Sequence, residues 1–300
     1  MARAVNLVIR RRLSDCAIGV RSRTGQEEND RLLFIAPWRE GSIVGTWYYP
    51  EFASLDKPGL SEHELSACLA QINSVFPNAR LDYEDVSLLH IGLQPAYSGK
   101  PGCQEPRLWR HTKILNDGSR TGQDGLYWVQ GVKLTTARST AVEVIERVAR
   151  YLKKNISPSG TDETPLYGAD FDDYGKYKRA CHEKLSGHYP EHVISRLLAN
   201  YGSCLDVIVR LMKQDESLAE YVPGTTDTIR AELKYVIENE MPETLADVVL
   251  RRTDMGSFSC PDRKTLEFCA NMMGGYFDWN ETERRNQIEN LLQHYPRYHN

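Results

Sequence analysis

One loop, Gln130–Arg138, combines residue types that could hold a phosphate or another electron-rich group. A short β-rich run precedes it and a helical pattern follows it. Gly131 permits a close backbone approach, Lys133 adds a positive charge, and Thr135 or Thr136 is placed to cap the helix. The first free N–H groups of such a helix face whatever anion lies in front of it. A solvated lysine in an ordinary turn is the competing interpretation.

Other candidate constellations favour structural roles. His188 and His192 have an i,i+4 spacing that could bind a metal on a helix, but Pro190 favours a helix start with exposed imidazoles. Arg10–Arg12 could contact nucleic acid, although a solvated loop after a strand is favoured. Four aromatic side chains could either line a ligand site or pack at strand ends: Trp38, Trp47, Tyr48 and Tyr49. Local sequence supports no Ser-His-Asp or Cys-His arrangement.

The composition is that of a folded protein with one large or two medium domains. The 300 residues are 41% hydrophobic and 26% charged, and the net charge of −4 argues against a nucleic-acid partner. The 7 cysteines form no C-x-x-C pair, which predicts reduced thiols and a cytoplasmic protein. No run approaches the about 20 apolar residues that a membrane span needs, and the start does not resemble a signal peptide.

The residues before about 155 predict a sheet with two helices. Five β-rich runs are bounded by Gly, Pro, Asn or Asp: Ala4–Ile9, Leu32–Ala36, Ser42–Thr46, Val86–Leu93 and Leu126–Val129. A capping box at Ser61–Glu64 begins one helix, and the apolar positions of 141–152 predict another after the last strand.

The residues after about 155 predict a helical domain. A segment rich in Ser, Pro, Gly and Asp, 154–173, reads as a linker, and apolar residues then recur at helical spacing. Asn280 is a candidate N-cap for the last helix. We therefore predict an α+β fold with an antiparallel sheet-based half at 1–155, a linker at 156–172 and an all-helical domain at 173–300.

Several segments resemble one family in the same order. Gly131–Arg138 (GVKLTTAR) is similar to the GGKLTTYR loop of FAD-dependent glycerol-3-phosphate dehydrogenases. Five further segments resemble motifs of that family: Val5–Val8, Leu33–Trp38 with Ile43–Thr46, Gly92–Ala96, Tyr201–Gly202, and Ala231–Glu240 with Leu245–Thr253. The likeness extends from about residue 4 to about residue 290.

The resemblance implies that the first half binds the substrate and caps a flavin. Lys133 would be catalytic, because it would stabilise negative charge at the pyrimidine edge of the reduced flavin. Gly131, Leu134, Thr135 and Thr136 would bind the cofactor beside it. The substrate would be a secondary alcohol, glycerol 3-phosphate or a related small molecule, that gives a hydride to FAD.

The implied substrate site departs from the family pattern. Gln94 stands where the family motif GVRPL has a phosphate-binding arginine, and Arg110 is the counterpart of a second one. Asn6 falls where some members carry a histidine, and Gly45–Tyr48 replaces GTTD. The resemblance thus assigns Asn6, Gln94 and Arg110 to the substrate and leaves a related polyol, hydroxy acid or amino-acid-like substrate open.

The sequence contains no G-x-G-x-x-G motif for the FAD pyrophosphate. A separate chain or a missing N-terminal segment would supply that fold, and we expect this chain alone to bind FAD weakly. The alternative is a non-catalytic remnant or interaction module of the family. The resemblance is compatible with a cytoplasmic protein that associates peripherally with the inner membrane.

Overall fold

The computed structural model describes residues 1–22, 31–50, 59–97 and 106–296. Its main sheet has five antiparallel strands in the order β2-β3-β4-β1-β5. The strands are β1 (Ala2–Ile9), β2 (Ile18–Arg21), β3 (Leu32–Trp38), β4 (Gly41–Pro50) and β5 (Val86–Gln94). A separate antiparallel pair follows, β6 (Lys113–Asn116) with β7 (Tyr127–Gln130).

Helix α1 (Glu62–Val75) covers one face of the main sheet. The predicted capping box is present: Ser61 Oγ accepts from Glu64 N at 3.2 Å, and Glu64 Oε2 accepts from Ser61 N at 2.9 Å. Alternate residues of β1 pack beneath the helix with Trp47, which is 1% exposed. Trp47 is therefore a core residue, and of its two predicted roles the packing role is the one observed.

The other face, the open face of the sheet, carries Ala4, Asn6 and Val8 of β1, because side chains alternate along a strand. At one end of this face Val8 and Leu88 are buried in the core of the helical half. Phe34 of β3, on the same face, is 62% exposed. The open face is thus covered in part only.

The chain after β7 is helical. A one-turn helix, α2 (Gly118–Thr121), precedes β7; the later helices are α3 (Ala137–Tyr151), α4 (Tyr174–Leu185), α5 (Glu191–Tyr201), α6 (Leu205–Gln214), α7 (Arg230–Asn239), α8 (Arg263–Phe277) and α9 (Glu281–Leu292), with a π-helical turn at Asp247–Arg252. Asn280 caps α9 as predicted, since its side chain accepts from Glu283 N at 2.9 Å. The α+β prediction with a helical C-terminal domain is confirmed.

Two polar contacts tie the helical half to the end of β3. Trp38 Nε1 donates to the carbonyl oxygen of Ser257 at 2.7 Å, and Arg39 pairs with Asp254. Within the helical half the fully buried Glu232 accepts from Arg196 Nη1 at 2.8 Å. The contacts of Trp38 and Arg39 fix the position of the Trp38 ring relative to the open face.

The structure adds two strands that the sequence patterns did not predict, β2 and β6. Each has only 4 residues, two of which are exposed, and each pairs with a neighbouring strand although its own apolar pattern is weak. Between α3 and α4, at 152–173, the backbone forms turns without a helix or strand.

Candidate functional site

The loop after β7, together with α3 and the end of β5, encloses a cleft of about 640 Å³, the α3 cleft. It is lined by Gln94 and its two neighbours in sequence, by Val129 and Gly131–Leu134, and by one face of α3. The structure therefore brings Gln94 to the same cleft as Gly131, Lys133 and Leu134.

The start of α3 has no side-chain cap, so the capping prediction was wrong. Leu134–Thr136 forms a 3-10 turn, and Thr136 occupies the N-cap position. Its hydroxyl donates to the carbonyl oxygen of Lys133 at 3.0 Å instead of accepting from the helix. The N–H groups of Thr136 and Ala137 donate to the carbonyl oxygens of Lys133 and Leu134, so the N–H groups that face a ligand are those at the start of the 3-10 turn, Leu134 and Thr135.

The α3 cleft is apolar and solvent-exposed. Leu134 is 92% exposed and Ile145 is 58% exposed, whereas Ala149 is the only buried residue of α3. The apolar positions that predicted this helix thus line a surface rather than a core. An exposed apolar helix face next to a single lysine is typical of an interface with another element or ligand.

A second cleft of about 370 Å³, the sheet cleft, lies on the open face. Strand pairing aligns one residue from each of four neighbouring strands in a row: Phe34, Gly45, Asn6 and His90. The pairing of β1 with β4 shifts between Val5 and Asn6, so that Thr46 is an extra residue beside this row. The bulge places a hydroxyl next to the Asn6 carboxamide.

The Asn6 side chain is oriented by these neighbours. Thr46 Oγ1 donates to Asn6 Oδ1 at 2.8 Å, which leaves the Asn6 amide N–H groups available as donors. A Cβ atom at Gly45 would lie only 2.0 Å from Asn6 Oδ1, so the site requires a glycine there. The Asn6 side chain is therefore fixed in orientation and presents hydrogen-bond donors to the sheet cleft.

His90 is the residue of the row that sequence patterns missed. It is half-buried, and its ring meets the Trp38 ring edge-on with 6.3 Å between centroids. Burial lowers the pKa of His90 below its ordinary 6.5, so the imidazole is neutral near pH 7. A polar residue inside the apolar run of β5 was the available signal.

Arg110 lies apart from both clefts. Arg110 is exposed and lines neither cleft. Thr135, by contrast, is exposed beside the α3 cleft. Near Arg110, Lys113 Nζ lies 3.5 Å from the centroid of the Trp109 ring. The predicted substrate residues are thus distributed: Gln94 in the α3 cleft, Asn6 in the sheet cleft and Arg110 on the surface.

Comparisons of this chain with known proteins all lead to the same family. The C-terminal domain of alpha-glycerophosphate oxidase matches residues 159–284. A glycerol-3-phosphate dehydrogenase of Synechocystis sp. is 30% identical over 225 residues, which is 74% of this chain and 40% of that protein. The aerobic glycerol-3-phosphate dehydrogenase of Bacillus subtilis is 26% identical over 275 residues, 87% of this chain and 47% of that protein.

The chain belongs to the glycerol-3-phosphate dehydrogenase family. It corresponds to the C-terminal portion and spans 40–47% of the curated relatives it matches. A crystal structure of the glycerol-3-phosphate dehydrogenase from Bacillus halodurans complexed with FAD has the same fold. It aligns with a TM-score of 0.76 at 23% identity and covers 98% of this chain and 57% of that one.

The described residues offer neither a cluster of metal ligands nor a membrane-spanning helix. In the described ranges no cluster of three or more His, Cys, Asp or Glu side chains could hold a metal ion, and His188 and His192 are both exposed. No described helix is both long enough and apolar enough to span a bilayer.

Proposed function

We propose that this chain forms the substrate-binding and flavin-capping part of an FAD-dependent oxidoreductase that oxidises a secondary alcohol. The observation that carries the proposal is the α3 cleft, in which Gly131, Lys133 and Leu134 meet Gln94 at an uncapped helix start. The chain's membership of the glycerol-3-phosphate dehydrogenase family supports it. Glycerol 3-phosphate or a related small molecule is the proposed substrate.

The α3 cleft fits one edge of a flavin ring rather than a whole FAD. The backbone N–H groups at the start of the 3-10 turn before α3 and the Lys133 ammonium suit the carbonyl oxygens of the pyrimidine edge, and the apolar walls suit the ring face. The sequence has no glycine-rich strand-to-helix turn for the pyrophosphate. The remainder of FAD is therefore assigned to a flavin-binding segment that lies outside these residues.

The exposed face of α3 is the proposed contact with that segment. Leu134 and Ile145 line the cleft and are 92% and 58% exposed, which leaves apolar surface in contact with water unless another element covers it. Docking of the flavin-binding segment would cover these residues and bring the flavin edge to Lys133.

The flavin, when bound, supplies the acceptor for a hydride from the alcohol carbon. Lys133 would counter the negative charge that then develops at the pyrimidine edge. Asn6 would donate a hydrogen bond to the substrate, Gln94 would hold its anionic or polar end, and Arg110 would add long-range attraction from the surface. Gly131, Thr135 and Thr136 would hold the loop beside the ring.

The test is anaerobic reduction of flavin by glycerol 3-phosphate. The chain is co-expressed with the segment encoded immediately upstream of Met1, purified with FAD and mixed with substrate. The flavin absorbance should be lost with the wild-type chain and should be lost at least about 10-fold more slowly with Lys133→Gln. Lys154→Gln, at an exposed position outside both clefts, is the matched control and should behave as wild type.

Two results would contradict the proposal. The first is an upstream region that encodes no flavin-binding segment, and the second is an assembly whose flavin stays oxidised with every secondary alcohol tested. Either result would favour the non-catalytic interaction module.

A further inference from the structure

His90 stands beside Asn6 on the open face of the sheet, at directly paired positions of β5 and β1. We propose that the His90 imidazole is the base that accepts the proton of the substrate hydroxyl. This inference rests on the proposed function, which supplies a secondary alcohol as the substrate. It identifies a base for the hydroxyl proton, a role for which the sequence alone offered no candidate.

The paired positions suit a hydroxyl group. Side chains directly opposite each other on one face of an antiparallel pair have Cβ atoms about 4.5–5.5 Å apart. Asn6 offers an N–H donor, since Thr46 holds its oxygen. A hydroxyl needs one donor for its oxygen and one acceptor for its proton, and the Asn6 amide with the His90 imidazole provides this combination.

The same face of β5 leaves space for the rest of a small substrate. Gly92 follows His90 at the next position on that face, and a Cβ atom there would meet nothing within 4 Å. Gln94 comes next, about 13 Å from His90 along the strand at about 3.3 Å per residue. A secondary hydroxyl at His90 and a polar or anionic end at Gln94 can therefore belong to one small substrate that lies over Gly92.

The helical half holds the imidazole in place. The Trp38 ring packs edge-on against His90, and Trp38 is itself fixed by its hydrogen bond to Ser257. Throughout the described part of the chain, no hydrogen bond or ion pair engages either imidazole nitrogen. Burial, and no neighbouring charge, lowers the pKa of His90, so a neutral acceptor is present near pH 7.

The proposed step is a proton transfer with a simple balance. The O–H bond of the substrate breaks, the proton bonds to a ring nitrogen of His90, and an alkoxide and an imidazolium form. The imidazolium then returns the proton to solvent. The electron pair of the C–H bond at the same carbon leaves with the hydride, which the flavin of the proposed function accepts.

The experiment compares His90→Gln with His63→Gln in the flavin-loaded assembly. His63 is exposed on α1, on the opposite side of the sheet, and its variant should retain wild-type activity. His90→Gln should reduce flavin at least about 100-fold more slowly with unchanged flavin content, because general bases typically contribute 10²–10⁴-fold. The wild-type rate should fall at a pH below 6.5 as His90 becomes protonated, and this fall should be absent from the variant.

A second variant separates catalysis from folding. His90→Ala should be inactive, and added imidazole should restore at least a tenth of the lost rate, which a purely structural role would not allow. His90→Gln activity within about 3-fold of wild type would overturn the inference while leaving the proposed function intact. A wild-type assembly that never reduces its flavin would instead contradict the proposed function.

An NMR titration of the chain without flavin gives a readout independent of activity. The His90 ring protons should titrate below pH 6.5, and glycerol 3-phosphate should shift them more than it shifts those of His63. A His90 ring that is still protonated at pH 7 would also overturn the inference.

Discussion

Leu134 offers a direct test of the proposed contact with the flavin-binding segment. Its side chain is 92% exposed at the mouth of the α3 cleft, so it contributes little to the folded chain alone. Replacement of Leu134 by Ala should therefore change the free energy of unfolding by less than about 0.5 kcal/mol. The effect should appear only when the segment docks.

The magnitude follows from the exposed fraction. Leu→Ala removes three carbon groups, and each is worth about 0.8 kcal/mol on complete burial, or about 2.4 kcal/mol in total. Because 92% of the side chain is exposed before docking, nearly all of this should be gained on docking. The variant should bind about 2 kcal/mol more weakly, which is about 30-fold in Kd.

The assay is calorimetric titration of the chain with the purified, FAD-loaded flavin-binding segment. Leu166→Ala is the matched control, because Leu166 is also a leucine with 81% of its side chain exposed but lies between α3 and α4, outside the cleft. The control should bind as wild type. Equal affinities for both variants, or a large loss of stability in Leu134→Ala, would refute the assignment of this surface.

Three further predictions concern the substrate, the helical half and pH. Gln94→Arg should lower the KM for glycerol 3-phosphate about fivefold, since a charge-assisted pair adds about 1 kcal/mol over neutral hydrogen bonds; an unchanged KM in steady-state assays would place Gln94 away from the phosphate. Glu232→Gln should lower the free energy of unfolding in urea by about 1.5–3 kcal/mol, because Arg196 loses its buried carboxylate partner and keeps only two longer ion pairs, at 3.6 and 3.9 Å; a loss below about 1 kcal/mol would contradict this. Burial depresses the pKa of His90 and of His294. Their contribution to stability is therefore complete above about pH 6.5 and is lost as the pH falls through the lowered pKa values, by at most about 1.4 kcal/mol per pH unit for each histidine. Thermal melts of the two His→Gln variants should show a smaller decrease in stability at acid pH than the wild type, and an unaltered decrease would contradict these pKa shifts.

Features set by neighbours in sequence were predictable. The capping box at Ser61–Glu64 and the N-cap at Asn280 need only residues three apart, and both are present. The buried positions of α7 and α9 also follow the apolar spacing. The lack of a cap at Thr136 was not predictable, because a 3-10 turn redirects its hydroxyl to Lys133.

Features set by strand register were beyond the sequence. His90 becomes part of a site only because β5 pairs with β1 so that it faces Asn6, and Thr46 reaches Asn6 only through a bulge. The meeting of Gln94 with Lys133 likewise depends on how the end of β5 packs against the loop before α3. Resemblance to the family pointed to Asn6, Gln94 and Lys133 but not to His90.

We propose that this chain holds one edge of a flavin and that a further segment binds the rest of the FAD. The most direct test is the flavin content of the purified chain after saturation with FAD and desalting, alone and with the flavin-binding segment. A ring contact by itself must overcome an association cost of about 4–15 kcal/mol. We expect the chain alone to be colourless and the assembly to hold stoichiometric flavin. Stoichiometric flavin in the partner-free chain, or a colourless assembly, would contradict it.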